Sequence, residues 1–209
     1  FTGDAGSGES EIRKWIIEND WLECIVQLPD RMFFNTGITT YFWIVTNKKS
    51  KERKGKVQLI DGSSHFKNLK KNLGDKGKYI SEEQIQELVQ IYKNNKENQI
   101  CKILPNKFFG YTKVIIEQPL IEYGDIKKDR QGYPKSDKSK RDSERVPLSE
   151  NIDEYFNREV KPHLPDSWMD RSKNKVGYEI NFAKYFYKFT PLRSLYEISQ
   201  ELKLLDVQG

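Results

Sequence analysis

The chain has few of the residues that build covalent or metal-held scaffolds. Its 209 residues include two cysteines and two histidines. Cys24 falls in an apolar run and Cys101 lies far along the chain, which favours neither a disulfide framework nor a metal site. His65 and His163 are distant in sequence and have no Cys or acidic cluster beside them, so we expect ordinary roles for both and no bound metal.

Long apolar runs are also absent from the sequence. No run approaches the roughly 18 residues of a membrane-spanning helix, and no signal peptide precedes Phe1, so we expect a cytoplasmic protein without a membrane partner. The first eight residues contain no initiator Met and are typical of the middle of a loop. We therefore expect the chain to be the later part of a longer protein.

Charge is plentiful, with a formal net charge of +5 and 32% charged residues. This mild basic bias permits a nucleic-acid partner without requiring one. The segment from Lys127 to Arg145 is basic but also contains acidic residues. Two further clusters are more purely basic, the first with Lys48, Lys49, Lys51, Arg53, Lys54 and Lys56, the second with Lys67, Lys70, Lys71, Lys76 and Lys78.

Hydrophobic periodicity predicts an alternation of helices and strands in the first half of the chain. A helix capped within Ser7–Ser10 would turn Ile12, Trp15 and Ile16 inward, at helical spacing. Ser81 opens a second helix through a capping box. Its predicted inward face is Ile85, Leu88, Val89 and Tyr92, and the predicted strands cover 22–28, 40–46 and 57–61, with weaker candidates at 103–104 and 114–116.

The second half of the chain is less regular. Residues 123–147 are polar and Lys-rich, which predicts an exposed connector. Residues 151–160 have a helical pattern, and Thr190-Pro191 is a strong helix start. The predicted inward residues are Ile152, Tyr155, Phe156 and Val160 in the first of these helices, and Leu192, Leu195, Ile198, Leu202 and Leu205 in the second.

The most informative feature is the connection from Leu28 to Thr40 between two predicted strands. A plain hairpin needs only about 2–5 residues there, and this connection is roughly twice as long. It carries two adjacent aromatic residues, Phe33 and Phe34. Burying a Phe contributes about 1.5–3 kcal/mol, so a loop that leaves one partly exposed needs a reason. Contact with a planar ligand is one such reason.

Three motifs carry a resemblance to a known family. They are Ile12-Arg13-Lys14-Trp15-Ile16-Ile17, the strand Leu22 to Pro29, and Phe33-Phe34-Asn35-Thr36-Gly37-Ile38. Together they resemble adenine-specific DNA methyltransferases, above all the modification subunit of type I restriction–modification systems. Weaker similarity to the same subunit continues through Val57–Ser63, Phe109–Tyr111, Glu117–Leu120 and 151–189.

The resemblance implies an α/β fold. Residues 1–122 would form the C-terminal half of a class I, Rossmann-like methyltransferase domain. The cofactor of the intact protein would be S-adenosylmethionine. Residues 123–149 would be a polar basic connector, and residues 150–209 a mostly helical tail that either packs internally or docks onto another subunit.

Two motifs of that family do not occur in this sequence. One is the Gly-rich turn that binds S-adenosylmethionine, and the other is the Asn/Asp-Pro-Pro-aromatic motif that positions the adenine amine. The glycines of Gly3–Gly8 follow no strand, and we interpret this segment as a linker. We therefore expect no catalytic or cofactor-binding residues here, and a chain that alone neither methylates DNA nor binds the cofactor.

The resemblance also implies candidate substrate contacts. Phe33 matches the position of an aromatic ring that stacks on a flipped adenine, with Phe34 as the alternate. Asn35 and Thr36 could contact the DNA backbone, although simple turn roles are an alternative. Lys48 and Lys49 could approach phosphates, and the alternative is a solvated hairpin end.

The function implied is methyl transfer from S-adenosylmethionine to adenine N6 by the intact protein. The implied partners are DNA, a specificity subunit, a second modification subunit and a restriction subunit. An alternative is a non-catalytic docking or DNA-binding module from a split or degenerate modification subunit. A third hypothesis is a class I methyltransferase that acts on RNA or protein.

Overall fold

The computed structural model describes residues 3–187, 194–196, 198–199 and 201. The helices with described bounds are α1 (Gly8–Glu18), α2 (Glu82–Asn94), α3 (Ile152–Tyr155) and α4 (Phe182–Phe186), and residues 195–196, 198–199 and 201 are also helical. Its strands are β1 (Leu22–Gln27), β2 (Tyr41–Val45), β3 (Lys56–Asp61), β4 (Lys67–Leu73), β5 (Lys76–Tyr79), β6 (Cys101–Pro105), β7 (Gly110–Glu117), β8 (Ile121–Glu122), β9 (Asp125–Ile126), β10 (Asp142–Pro147), β11 (Trp168–Met169) and β12 (Lys175–Tyr178). Among the described residues, no helix combines the length and apolarity needed to cross a bilayer.

The first sheet has the strand order β2-β1-β3-β6. The two central strands, β1 and β3, are parallel, and an antiparallel strand pairs with each of them on its outer side. The predicted strands 22–28, 40–46 and 57–61 are confirmed. The two parallel strands are fully buried at their centres, at Ile25 in β1 and Leu59 in β3. Because β1 lies between β2 and β3, residues 47–56 do not close a hairpin. They cross over the amino ends of the two parallel strands, so the hairpin interpretation of this basic segment is wrong.

Helix α1 covers one face of this sheet, but in a different rotation from the predicted one. Ser7 caps it, since the Ser10 N–H donates to Ser7 Oγ at 3.3 Å. The buried stripe is Ser10, Arg13 and Ile17, whereas the predicted inward residues Ile12 and Trp15 are 60% and 57% exposed. The prediction is therefore wrong for those two side chains.

The cause of this rotation is a polar anchor far along the chain. Arg13 Nε donates to the Tyr178 carbonyl at 2.7 Å and Nη2 donates to the Gly3 carbonyl at 2.8 Å. The Tyr178 N–H donates to Ser10 Oγ at 3.1 Å. These bonds turn the Ser10–Arg13 side of the helix towards β12, because buried polar groups must find partners.

Helix α2 covers the opposite face of the first sheet, and its predicted start at Ser81 is confirmed. Its first turn is held by Gln84 Oε1, which accepts from the Ser81 N–H at 3.1 Å. Leu88 and Tyr92 pack against the fully buried Cys24 and Ile60. The predicted apolar face also lines a cavity of about 260 Å³ between helix and sheet, formed by Val26, Leu28, Phe42, Ile44, Ile80, Ile85, Leu88, Val89 and Tyr92.

A second sheet is built around β7, which pairs antiparallel with β10, β11 and β12. Residues 123–147 were expected to be an exposed connector, and that expectation is wrong for the last six residues. The strand β10 pairs with β7 along its whole length, and Val146 is fully buried. The sequence of β10 predicts a strand only weakly, because Val146 is its one fully buried apolar residue. Backbone hydrogen bonds to β7 hold the strand in place, and these leave no pattern in the sequence.

The predicted helix at 151–160 is confirmed as α3 followed by a π-helical turn, Phe156–Val160. The strands β11 and β12 after it interrupt the expected helical tail. Residues Tyr178, Ile180 and Phe182 join the core of the first sheet beside Ile17 and Ile25. Leu195 is 84% exposed. The predicted helix start Thr190-Pro191 and the stripe residues Leu192, Leu202 and Leu205 lie outside the described residues.

Candidate nucleic-acid interface

The long connection between β1 and β2 begins at the carboxyl end of the parallel pair. The Leu28 N–H donates to the Thr40 carbonyl at 2.9 Å, which extends the strand pairing by one step before the two chains separate. Open α/β sheets bind their ligands at this edge, outside the carboxyl ends of the parallel strands. The segment 29–40, here named the aromatic loop, therefore occupies the expected position for a site.

The aromatic loop is folded back on itself and presents both phenyl rings to solvent. A bridge pairs Phe33 with Thr36, and the Arg31 N–H donates to the Gly37 carbonyl at 3.3 Å. Phe33 is 45% exposed and Phe34 is 63% exposed. Neither ring is sealed in the interior, so each ring has surface accessible to a planar ligand.

The strands β4 and β5 form a two-stranded ribbon that fixes the aromatic loop through backbone hydrogen bonds. The Asp75 N–H donates to the Phe34 carbonyl at 3.0 Å. The Gly77 and Lys78 N–H groups both donate to the Arg31 carbonyl, at 3.0 and 3.2 Å. Because these bonds use main-chain atoms, they hold the loop without occupying the rings.

Close packing at this junction requires glycine at position 74 of the ribbon and is favoured by glycine at position 77. Gly74 has φ +63°, and a Cβ there would collide with the Phe34 carbonyl oxygen. A Cβ on Gly77 would lie 2.7 Å from Arg31 Nη2. The ribbon and the aromatic loop therefore pack closely against each other.

The two phenylalanines differ in their surroundings. The Lys76 ammonium lies 5.3 Å from the centroid of the Phe34 ring, so this ring already has a cation partner. The Phe33 ring makes no recorded ring or cation contact with any residue in the described part of the chain. Beside them, Asn35 is exposed and Thr36 is half-buried, with Thr36 Oγ1 accepting from the Ile38 N–H at 3.4 Å. The first four predicted site residues are consecutive in the sequence and lie together on the aromatic loop.

The remaining two predicted site residues, Lys48 and Lys49, lie at the other edge of the sheet. They belong to the 47–56 crossover at the amino end of β1, a strand of six residues. At about 3.3 Å per residue this separates them from the aromatic loop by about 20 Å. Lys48 is exposed there, but it shares no site with the rings.

Lys49 is buried, which corrects its proposed role as a phosphate contact. Its side chain is 2% exposed, and Nζ lies 2.6 Å from Asp20 Oδ1 and 2.7 Å from the Lys56 carbonyl. Burial acts to raise the pKa of Asp20, but hydrogen bonds from Lys49, the Gly55 N–H and Asn106 outweigh it and keep that pKa below its usual value. The Lys49 ammonium thus stabilises the crossover from inside.

The Gly3–Gly8 segment does not fit a cofactor cradle within the described structure. Asp4 accepts from the Ala5 N–H at 2.9 Å and from the Tyr111 hydroxyl at 3.0 Å, and it pairs with Lys113. The Lys113 hydrogen bond is the main reason that the pKa of Asp4 falls to about 2. A Cβ on Gly6 would lie 3.2 Å from the Lys175 side chain. The segment's polar groups are engaged by this chain itself.

Other reactive groups give no second site in the described part of the chain. Cys24 and Cys101 are both free and buried, and burial raises the pKa of the Cys24 thiol, which suits a core residue and not a nucleophile. Among the described residues, no group of three or more His, Cys, Asp or Glu side chains is arranged to hold a metal ion.

Comparison with known proteins assigns the chain to a family. The family model described as N-6 DNA Methylase matches residues 4–140. The chain belongs to the N-6 DNA Methylase family. Membership in a methylase family implies a methyl donor.

Relatives of this N-6 DNA methylase chain include two restriction enzyme subunits. It is 36% identical over 89 residues to the type I restriction enzyme MjaIX methylase subunit of Methanocaldococcus jannaschii, covering 43% of this chain and 15% of that protein. It is 46% identical over 55 residues to the type I restriction enzyme HindI methylase subunit of Haemophilus influenzae, covering 26% and 12%. The chain thus spans a small part of the length of the relatives it matches.

A solved structure is also similar. It is the crystal structure of the type I restriction-modification system methyltransferase subunit from Streptococcus thermophilus, with a TM-score of 0.43 and 23% sequence identity. The match covers 50% of this chain and 21% of that one.

Sequence reasoning missed Arg31 and the ribbon that holds the aromatic loop. A signal for the ribbon was present, because Leu73 pairs with Lys76 across a two-residue Gly74-Asp75 turn, and Gly-Asp between two short runs indicates a hairpin. No local signal marks Arg31, which has a left-handed φ of +56° and whose carbonyl accepts the hydrogen bonds of the ribbon.

Proposed function

We propose that this chain is part of a site-specific DNA methyltransferase that transfers a methyl group from S-adenosylmethionine to adenine N6 within a type I restriction–modification complex. Family membership and the names of the relatives support this assignment. The observation that carries it is the aromatic loop, which presents the exposed Phe33 ring at the carboxyl edge of the parallel strands.

The proposed task of this chain is to hold the target base. An adenine amine inside a duplex cannot reach a methyl donor, so the nucleotide must leave the stack. A base that stacks on Phe33 gains about 1–3 kcal/mol, which offsets part of the unstacking cost. The ribbon keeps the ring in place by backbone bonds to Arg31 and Phe34, and Asn35 lies beside it for a contact to the DNA backbone. The cofactor supplies the methyl group and would bind outside the described residues.

The proposal extends to partners. DNA is the proposed substrate, and a specificity subunit, a second modification subunit and a restriction subunit would complete the complex. The relatives are named as methylase subunits of type I restriction enzymes, which supports a multi-subunit assembly. Such an enzyme would act in the cytoplasm. The chain's 150–209 segment is our candidate for subunit docking.

The test replaces Phe33 in the intact subunit and measures DNA methylation. Phe33→Ala should lower methylation by about 5- to 150-fold, the equivalent of 1–3 kcal/mol of lost stacking, while binding of S-adenosylmethionine is unchanged. Phe33→Trp should retain most activity because an aromatic face remains. Full activity in the alanine variant would refute the proposed role of the ring.

The matched control is Phe34→Ala. Its ring already faces Lys76, so we expect a smaller loss than for Phe33→Ala. The reverse order would transfer the stacking role to Phe34.

A further inference from the structure

The ribbon formed by β4 and β5 carries a cluster of lysines whose purpose the aromatic loop does not explain. Between Lys67 and Tyr79 there are five lysines and one acidic residue, Asp75. The strand β4 is exposed at every position except Leu69, which is half-buried. In β5, by contrast, Gly77 is buried and Lys76 and Lys78 are half-buried. The strand β4 therefore contributes little to the core, so its composition is free to serve another role.

The five lysines divide into two groups. Lys78 pairs with Asp30 and also lies 3.8 Å from the Phe66 ring, while Lys76 lies over Phe34, so both fasten the ribbon to its surroundings. Lys67 lies 3.5 Å from Glu83. Lys70 and Lys71 are exposed and form no ion pair with any described residue. These two carry uncompensated positive charge.

The position of this charge is fixed relative to the candidate site. The turn between β4 and β5 is bonded to the Phe34 carbonyl, and β5 is bonded to the Arg31 carbonyl. Lys70 and Lys71 lie in the irregular stretch of β4 between the paired residues Asn68 and Leu73, and both side chains are exposed. DNA that delivers a base to Phe33 would therefore place its phosphates beside this ribbon.

We propose that the β4–β5 ribbon is a DNA-backbone contact in which Lys70 and Lys71 bind phosphates that flank the flipped base. A two-stranded ribbon fits within the major groove of B-DNA, about 12 Å wide, with its side chains reaching the phosphates on either side. Such contacts position the protein on the duplex without reading its sequence. The choice of duplex DNA as ligand rests on the proposed function.

The experiment measures binding of the 209-residue chain to a random-sequence DNA duplex without cofactor, by fluorescence anisotropy between about 50 and 200 mM salt. The double variant Lys70→Gln/Lys71→Gln should lower the magnitude of the slope of log K against log salt by about 2, since each phosphate contact contributes about 0.9. Its affinity near 0.1 M salt should fall by about 10- to 60-fold. Lys70→Arg/Lys71→Arg should retain the slope.

The matched control is Lys51→Gln/Lys54→Gln, which removes the same charge from the exposed crossover at the far edge of the sheet. We expect it to leave the slope within about 0.5 of the parent value. Equal slopes for the two glutamine pairs, or no measurable binding by the parent chain, would overturn the proposal and would leave the lysines as solubilising charges on a ribbon edge.

This readout is independent of methyl transfer. If Phe33→Ala leaves methylation intact but the ribbon pair changes the salt slope, the base-stacking role fails and the backbone contact stands. If the ribbon pair has no effect while Phe33→Ala abolishes methylation, the opposite holds.

Discussion

The two lysine-rich segments of this chain have similar composition and opposite placement. The 47–56 crossover lies at the amino edge of the parallel strands, where Lys49 is buried against Asp20. The β4–β5 ribbon lies at the carboxyl edge, where Lys70 and Lys71 are exposed beside the aromatic loop. The crossover uses Lys49 to hold its own backbone, whereas the ribbon uses its backbone to hold a loop. Both segments also expose lysines, but only those of the ribbon lie beside the aromatic loop. The edge of the sheet at which a lysine lies, and not the number of lysines in its segment, distinguishes the structural Lys49 from the candidate phosphate contacts Lys70 and Lys71.

The largest expected effect is on the crossover, through loss of the charge that pairs with Lys49. Asp20→Asn preserves shape and suits the left-handed φ of +58°, but it leaves a buried ammonium without a counter-charge. We expect a loss of about 3 kcal/mol in the free energy of unfolding, measured by urea denaturation.

The control for this change is Glu122→Gln, which breaks an ion pair to Lys127 in which both side chains are more than 40% exposed. A surface pair of this kind should contribute less than about 1 kcal/mol. Equal losses in the two variants would show that Lys49 is not the internal anchor of the crossover.

A smaller effect is expected at the junction of ribbon and loop. Gly74→Val places a β-branched residue at φ +63° and drives its Cβ into the Phe34 carbonyl oxygen, with an expected cost of about 2 kcal/mol. We expect faster hydrogen exchange in residues 29–40 and 67–79 and unchanged exchange in 47–56. Gly124→Val, at a positive φ with no atom within 4 Å of its Cβ, should leave both segments unchanged. Unaltered exchange in the aromatic loop of Gly74→Val would mean that the ribbon does not hold it.

The elements predicted correctly are those with strong local signals. The strands β1, β2 and β3 are runs of apolar residues, and the capping boxes or caps at Ser7 and Ser81 mark helix starts directly. The unusual length of the connection after Leu28 also indicated a loop with exposed aromatic rings, and Phe33 and Phe34 are exposed. Each of these signals lies within a few residues of the structure that it predicts.

The errors arise where distant residues decide the outcome. The rotation of α1 depends on Arg13 binding a carbonyl of Tyr178, 165 residues away. The burial of Lys49 depends on its ion pair with Asp20, 29 residues earlier in the chain, and β10 depends on pairing with β7. No local pattern contains these partners. Periodicity therefore could not predict which face of α1 is buried, that Lys49 is buried, or that a second sheet forms.

The comparison of the two edges is tested most directly by lysine footprinting. The 209-residue chain would be acetylated with and without a DNA duplex, and the modification of each lysine quantified by mass spectrometry. Our account predicts that DNA protects Lys70 and Lys71 and leaves Lys51 and Lys54 as reactive as before. Protection of Lys51 and Lys54 with Lys70 and Lys71 still reactive would contradict it and place the DNA at the amino edge of the sheet.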